Sequence, residues 1–112
     1  MSQEKPSPKR RIVSVDDDPA VGRLVRAAFA GDADVEVVAC HTGADAQSEI
    51  ERAWPDLLLL DLQLPDMSGF ELLEATKLAR PGLPVIVLTG SADVRTAVAA
   101  IQRGAFHFVT KP

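Results

Sequence analysis

The stretch LLLLDLQLPDMSGFELL (residues 57–73) decides the fold class of this chain. Its four consecutive leucines, Leu57–Leu60, form an apolar run that is typical of a strand covered on both faces, as in a parallel sheet. The run ends in Asp61, a loop containing Pro65 follows, and a segment with helical spacing begins near Ser68. A buried strand that leads through a short polar loop into a helix indicates an α/β protein.

The same unit recurs on both sides of this stretch. Four further apolar runs have the length and composition of strands: Arg11–Val15, Val35–Cys40, Val85–Thr89 and Phe106–Val109. Amphipathic segments with helical spacing lie between them. The order β-α-β-α-β-α-β-α-β predicts a doubly wound α/β fold, in which a five-stranded parallel sheet carries helices on both faces.

Each helical segment has an apolar stripe that we expect to face the sheet. The first segment begins after Asp18, which can cap it, with Pro19 in its first turn, where a missing N–H is harmless. The apolar stripe of the second segment consists of Ala46, Ile50, Ala53 and Trp54. The third segment has Phe70, Leu73 and Leu78, and the fourth has Val94, Ala97, Val98 and Ile101.

The two ends of the chain depart from this pattern. Residues 1–10 are rich in Pro, Ser, Lys and Arg without a hydrophobic period, which predicts a flexible arm before a domain that spans residues 11–112. The sequence stops at Lys111–Pro112, directly after the fifth predicted strand, so the helix expected last is missing. We therefore expect either that the chain is part of a longer protein or that a partner chain covers the exposed face.

Length and composition exclude several classes of protein. With 112 residues the chain suits one domain, and its single cysteine, Cys40, excludes an internal disulfide and a multi-cysteine metal site. No apolar run approaches the roughly 20 residues that span a bilayer, and the first residues lack the apolar core of a secretory signal. A net charge of −4 disfavours direct binding to nucleic acid. We expect a cytoplasmic domain without a membrane or nucleic-acid partner.

Acidic side chains follow two of the predicted strands. Asp16, Asp17 and Asp18 follow the first strand, and Asp61 ends the third. If these two strands are neighbours, their carboxyl ends bring Asp16, Asp17 and Asp61 together, and three mutually repelling carboxylates require a cation. Oxygen ligands in a shallow, wet site favour Mg²⁺ or Mn²⁺ over zinc. Lys111, after the fifth strand, would complete the balance of charge.

Each of these residues also has a simpler structural explanation. Asp18 fits a helix cap, Asp61 a turn residue, Thr89 a strand residue and Lys111 a solvated surface lysine. A calcium site of the EF-hand type is excluded, because no spaced acidic ligands and no closing glutamate follow the first aspartates. A nucleotide-binding P-loop is excluded because the chain has no GxxxxGK stretch. The combination of these residues is much less expected by chance than any one of them.

Four segments together resemble the receiver domain of two-component response regulators, across nearly the whole chain from Arg11 to Pro112. They are IVSVDDDP (12–19), LLLLDLQLPDMSGFELL (57–73), PVIVLTG (84–90) and AIQRGAFHFVTKP (100–112). The resemblance implies the strand order 2-1-3-4-5 and a signalling domain rather than an enzyme. It further implies a sensor histidine kinase or phosphotransfer protein as donor, a downstream output domain or effector as target, and the capacity to form a homodimer.

The resemblance also implies a role for individual residues. Asp61 would be the phosphoacceptor and one of the metal ligands. Asp17 would bind Mg²⁺ or Mn²⁺ directly, Asp16 would bind it through water, and the backbone carbonyl of Gln63 would complete the protein's ligands.

Three residues on the last two strands and at the end of the chain would respond to the phosphoryl group. Thr89 would hydrogen-bond to it and Lys111 would pair with it. Phe108 occupies the position at which the family has a rotating aromatic switch; without a hydroxyl, its inward rotamer would depend on packing alone, and a plain core aromatic is the alternative.

Other functions on the same topology fit the sequence less well. A phosphatase of the haloacid dehalogenase type has a second aspartate two residues after its nucleophile, where this chain has Gln63. A flavodoxin-like carrier needs a phosphate-binding loop after the first strand, where the acidic residues of this chain would repel an anion. A receiver-like interaction module that acts without phosphorylation remains as an alternative.

Overall fold

A computed structural model describes residues 9–90 and 94–111, which form five parallel strands and four helices. The elements are β1 (Arg10–Val15), α1 (Pro19–Ala28), β2 (Val35–Cys40), α2 (Gly43–Arg52), β3 (Leu57–Asp61), α3 (Gly69–Ala79), β4 (Val85–Thr89), α4 (Val94–Gln102) and β5 (His107–Thr110). The sheet has the order β2-β1-β3-β4-β5, so the predicted doubly wound fold is confirmed. β5 is the last element of the described chain, as the sequence indicated.

Two strand boundaries differ from the prediction. β1 begins one residue earlier, at Arg10, because its parallel pairing with β2 extends to Val35 and the Arg10 N–H donates to the carbonyl of Asp34 at 2.8 Å. β5 is shifted by one residue, to His107–Thr110, in register with β4. Of the predicted flexible arm, residues 1–8 lie outside the described residues.

The main core lies between one face of the sheet and the helices α2, α3 and α4. Alternate strand residues with no exposed surface point to this face: Val13, Val15, Leu58, Leu60, Val85 and Val87. They form one cluster with Ala46 and Ile50 of α2, with Leu72 and Leu73 of α3, and with Ala100 of α4. Full burial of a side chain of this size contributes roughly 1.5–3 kcal/mol, so this layer supplies most of the apolar stabilisation.

The opposite face of the sheet is only partly covered. α1 packs against β1 and β2, where Gly22 lies so close to Ala39 that an added Cβ would be 2.9 Å from the Ala39 Cβ. Towards the other edge, Leu59 and Leu88 are only half-buried and Val109 is 44% exposed. Among residues 9–90 and 94–111, no helix therefore covers this part of the sheet.

The predicted apolar stripe of the second helix is wrong in its last two residues, Ala53 and Trp54, which lie outside α2. α2 stops at Arg52 and Ala53 has extended dihedral angles. Trp54 directly precedes Pro55, a position that disfavours helical dihedral angles. Trp54 consequently leaves the helix and is 37% exposed, with the guanidinium of Arg80 stacked at 4.6 Å from its ring centre.

Two other predicted stripes are only partly buried. In α3, Leu78 is 85% exposed, because Leu72, Leu73 and Thr76 supply the buried side. In α4 the small residues Ala97 and Ala100 face the sheet. The larger residues of the predicted α4 stripe are exposed instead: Val94, Val98 and Ile101.

Candidate functional site

Three carboxylates meet at the carboxyl edge of the sheet. β1 and β3 are neighbours, so Asp16 and Asp17, which follow β1, lie beside Asp61 at the end of β3. One carboxylate oxygen of each lies within 4.8 Å of those of the other two. Asp16 and Asp61 are only 2% and 4% exposed, whereas Asp17 is exposed to solvent. The predicted convergence is thus present in the structure.

Lys111 supplies a positive charge to this cluster. Its ammonium Nζ lies 2.6 Å from Oδ2 of Asp16 and 3.2 Å from Oδ2 of Asp61. The lysine is placed by the sheet, because its backbone N–H donates to the Thr89 carbonyl at 2.8 Å. Apart from this ion pair, Oδ2 of Asp16 is buried without a hydrogen bond among the described residues. The lysine therefore compensates two buried carboxylates that would otherwise repel each other.

The pKa values of Asp61 and Lys111 are both raised by their surroundings in the pocket. Burial raises the pKa of Asp61, and the nearby charge of Asp16 raises it further, although the Gln63 N–H and the Lys111 ammonium act in the opposite direction. Burial alone would lower the pKa of Lys111, but its bonds to Asp16 and Asp61 raise the value overall. A second cation at this place would favour the ionised carboxylates.

The two acidic strand ends have the same local geometry. Oδ1 of Asp16 accepts a hydrogen bond from the Asp18 N–H at 2.9 Å, and Oδ1 of Asp61 accepts one from the Gln63 N–H at 3.0 Å. In each case the carboxylate is bonded to the backbone two residues further on, which is a common turn for aspartate. These turns fix one oxygen of each carboxylate and leave the other directed at Lys111.

A depression of about 420 Å³ opens beside Asp61. Its walls are Asp61, Leu62, Gln63, Leu88, Thr89, Gly90, Thr96 and Lys111. Thr89 is 8% exposed at the end of β4, as the sequence led us to expect, whereas Thr96, on the first turn of α4, was not predicted. The pocket therefore combines acidic, basic and hydroxyl groups around one exposed opening.

Two contacts next to the site could not be predicted from the sequence. Nδ1 of His41 lies 3.1 Å from the carbonyl oxygen of Asp16, and the carboxylate of Asp66 is bonded to the first turn of α2. Both contacts join loops that are distant in sequence. Their residue types are common in loops, so only the fold could reveal them.

Phe108 is not the core aromatic that we considered as an alternative. It lies opposite Val87 in the register of β4 and β5, yet 36% of its surface is exposed. The neighbouring His107 ring lies 5.9 Å away, and β5 is the last element among residues 9–90 and 94–111. Phe108 thus stands at the edge of the core.

The residues present fit a divalent cation. The donor set is made of carboxylate oxygens, which Mg²⁺ and Mn²⁺ prefer. One of these oxygens, Oδ2 of Asp16, is buried with no partner except the Lys111 ammonium. One ammonium cannot neutralise three carboxylates, so the cluster keeps a negative charge that a further cation would balance.

A comparison with protein families decides the class of the protein. The model of the response regulator receiver domain matches residues 12–112. The chain belongs to the receiver domain family of response regulators. Receiver domains are signalling domains of two-component systems, which agrees with the predicted function in its general form.

Individual relatives support this assignment. The chain is 40% identical over 98 residues to the regulatory protein LuxO of Vibrio cholerae and 38% identical over 98 residues to the transcriptional regulator NtrC of Escherichia coli. Each match covers 88% of this chain but only 21% of the relative. The chain thus spans about a fifth of the length of these proteins.

Solved structures show the same fold. A CheY-like receiver domain protein from Methanospirillum hungatei superimposes with a TM-score of 0.84 at 36% identity, covering 95% of this chain and 83% of that one. The receiver domain of NtrX from Brucella abortus gives a TM-score of 0.82 at 33% identity, with coverage of 90% and 85%. None of the helices in residues 9–90 and 94–111 has the length and hydropathy needed to cross a membrane.

Proposed function

We propose that this receiver domain accepts a phosphoryl group on Asp61 from a sensor histidine kinase or a phosphotransfer protein. The observation that carries the proposal is the buried carboxylate of Asp61, which shares the Lys111 ammonium with Asp16 beside an open pocket. Such a carboxylate is a nucleophile within a ready-made set of compensating charges.

A divalent cation, Mg²⁺ or Mn²⁺, belongs to this proposal. Asp17, Asp61 and the backbone carbonyl of Gln63 would hold it, and Asp16 would contact it through water. When bound, it supplies positive charge that stabilises the oxygens of the transferred group.

The side chains of the protein carry out the transfer. A carboxylate oxygen of Asp61 attacks phosphorus in line with the leaving group. The new bond is an acyl phosphate, and the P–N bond of the donor phosphohistidine breaks with its electron pair passing to the imidazole nitrogen. Lys111 and the hydroxyl of Thr89 then face the phosphoryl oxygens and stabilise their charge. No general base is required, because the attacking carboxylate carries no proton to remove.

The output is a change in the surface formed by α4 and β5. A phosphoryl group adds charge and acceptor oxygens next to Thr89, which draws this residue towards Asp61. The half-exposed Phe108 on the neighbouring strand then moves into the vacated space. An output domain or effector that contacts this surface would distinguish the two states. The regulatory names of the relatives agree with such a target.

Phosphorylation can be tested with a small acyl phosphate donor. After incubation with the donor and Mg²⁺, the intact mass should increase by one phosphoryl group, and a chelator should prevent the increase. Asp61→Asn is the control and should remain unmodified. An unchanged mass of the parent chain under these conditions would favour the interaction module that acts without phosphorylation.

A further inference from the structure

The tip of the β3–α3 loop (residues 62–68) is hydrogen-bonded to the start of α2. Oδ1 of Asp66 accepts the Gly43 N–H at 2.8 Å, and Oδ2 accepts the Ala44 N–H at 2.9 Å. These N–H groups belong to the first turn of the helix, where no intrahelical partner exists. They lower the pKa of Asp66, so the contact is made by the ionised carboxylate. Asp66 is thus a cap supplied from another loop.

A packing contact supports the same connection. Gly43 lies against the side chain of Met67, so closely that a Cβ at Gly43 would overlap its sulfur and Cγ. The helix itself is capped by Thr42, whose Oγ1 accepts the Asp45 N–H at 3.1 Å. The two carboxylate bonds of Asp66 are therefore additional to the helix's own cap, and they join it to the loop.

The short β2–α2 connection (residues 41–42) also contacts the other half of the acidic cluster. Nδ1 of His41 lies 3.1 Å from the carbonyl oxygen of Asp16. His41 therefore connects the β2–α2 segment to the loop directly after β1, which carries Asp16 and Asp17. At the other end of this segment, the start of α2 holds the loop that carries Gln63 three residues before Asp66.

At its base, the β3–α3 loop is held by contacts within its own segment. The Gly69 N–H donates to the Leu62 carbonyl at 2.9 Å, and Gln63 pairs with Ser68 in an antiparallel bridge. The two N–H bonds that Asp66 accepts join this loop to the first turn of α2. Together with the contact of His41 with Asp16, they connect the loop to the residues that follow β1.

We propose that Asp66 is a positioning residue of the cation site: by holding the β3–α3 loop against α2, it sets the position of the Gln63 carbonyl relative to the ligands after β1. The inference rests on the proposed function, because it assumes that the acidic cluster binds a divalent ion. Residues that orient metal ligands typically affect affinity by about 10–100-fold. Asp66 itself lies outside the cluster that contacts the ion.

The first test is Mg²⁺ affinity, measured by calorimetry at a temperature at which circular dichroism shows each variant to be folded. We expect Asp66→Ala to bind Mg²⁺ about tenfold more weakly than the parent. Asp66→Asn should lie between them, because its amide oxygen can accept one of the two N–H bonds. The matched control is Asp45→Ala, which removes a carboxylate from the same helical turn and should bind within about twofold of the parent.

A purely structural role gives a different result. Asp66→Ala would then lower the melting temperature but bind Mg²⁺ as tightly as the parent, and the inference would be overturned while the proposed function stood. If the parent chain itself fails to bind Mg²⁺, the proposed cation site is wrong, and the inference is wrong with it.

A second measurement uses only the parent chain, in case Asp66→Ala does not fold. Coupling between two events is reciprocal, so a contact that favours Mg²⁺ binding must be strengthened by Mg²⁺. Amide hydrogen exchange at Gly43 and Ala44 should therefore slow when Mg²⁺ saturates the site. Equal exchange rates with and without Mg²⁺ at these two amides would contradict the positioning role.

Discussion

The buried carboxylates of Asp16 and Asp61 place two negative charges next to one ammonium. Lys111 bridges them at 2.6 and 3.2 Å, but the raised pKa of Asp61 shows that its ionised form is still penalised by burial and by Asp16. The fold keeps this unfavourable pair although a neutral side chain would cost less. Such a cost at a pocket is typical of a functional residue.

Replacing the charge of Asp61 should stabilise the protein in the absence of divalent ions. In Asp61→Asn the buried charge next to Asp16 is removed while Lys111 keeps its partner Asp16. We expect the free energy of unfolding, measured with denaturant and a chelator, to rise by about 1 kcal/mol. The exposed Asp17→Asn serves as control and should change stability less. A clear loss of stability in Asp61→Asn would contradict this view of the charges.

Ser14 is a second residue whose environment allows a prediction. Its hydroxyl is buried, with the residue 1% exposed, and has no hydrogen-bond partner in residues 9–90 and 94–111. Ser14→Ala should therefore raise the free energy of unfolding by about 1 kcal/mol, since it removes an unsatisfied polar group. Ser68→Ala is the matched control, because the Ser68 hydroxyl accepts the Phe70 N–H at the start of α3. For Ser68→Ala we expect the free energy of unfolding to fall by about 1 kcal/mol. Equal changes in stability for Ser14→Ala and Ser68→Ala would contradict the prediction.

Among the elements, β3 and α3 approach each other closely at Gly69. Gly69, the first residue of α3, lies so close to the end of β3 that a Cβ would overlap the Asp61 carbonyl and the Leu62 Cα. The helix therefore starts directly against the strand that carries the proposed phosphoacceptor. Only glycine permits this approach of two backbones.

Gly69→Ala should disturb both stability and the site. The added methyl group must push α3 away from backbone atoms that cannot yield, so we expect a loss of about 2 kcal/mol or more in denaturant unfolding. Phosphorylation of Asp61 by a small donor should also slow. Gly31→Ala is the control, because no atom lies within 4 Å of a Cβ at Gly31. Similar stability of the two variants would show that the close approach of α3 and β3 does not exclude a side chain at position 69.

Strands and helices could be predicted where only one structure explains the sequence pattern. The strands are apolar runs buried by the sheet, Asp18 caps α1 as predicted, and α3 begins directly after Ser68, near its predicted start. The end of α2 was wrong because Trp54 has the right spacing but Pro55 prevents the helix from reaching it. The Asp66 bonds to α2 were missed since their partners are 22 and 23 residues apart. Local periodicity does not encode such pairings.

For the whole molecule, the strand order gathers residues that are distant in sequence. Asp16, Asp61 and Lys111 meet because β1 and β3 are neighbours and β4 and β5 lie beside them. The residues could be predicted from the family resemblance, whereas their distances and burial required the fold. The exposure of Val98 and Phe108 could not be predicted from an apolar pattern, because the same pattern also describes residues that are covered.

Cation binding should stabilise the whole fold. A ligand that binds only the folded state adds about 2.7 kcal/mol to the free energy of unfolding at a hundred times its dissociation constant. We therefore expect Mg²⁺ to raise the melting temperature of the parent chain, with sodium salt of equal ionic strength as the reference. Asp17→Asn should lose most of this increase. An equal increase in melting temperature for the parent chain and Asp17→Asn would show that Mg²⁺ binds at a site that does not include Asp17.

Phosphoryl transfer to Asp61 can be tested directly by a crystal structure of the chain with Mg²⁺ and beryllium fluoride, which mimics a phosphoryl group. We predict the fluoride adduct on the carboxylate of Asp61, with Lys111 and Thr89 at its fluorines and the ion held by Asp17, Asp61 and the Gln63 carbonyl. An ion outside the acidic cluster, or an Asp61 that stays free of the adduct at saturating concentrations, would contradict it.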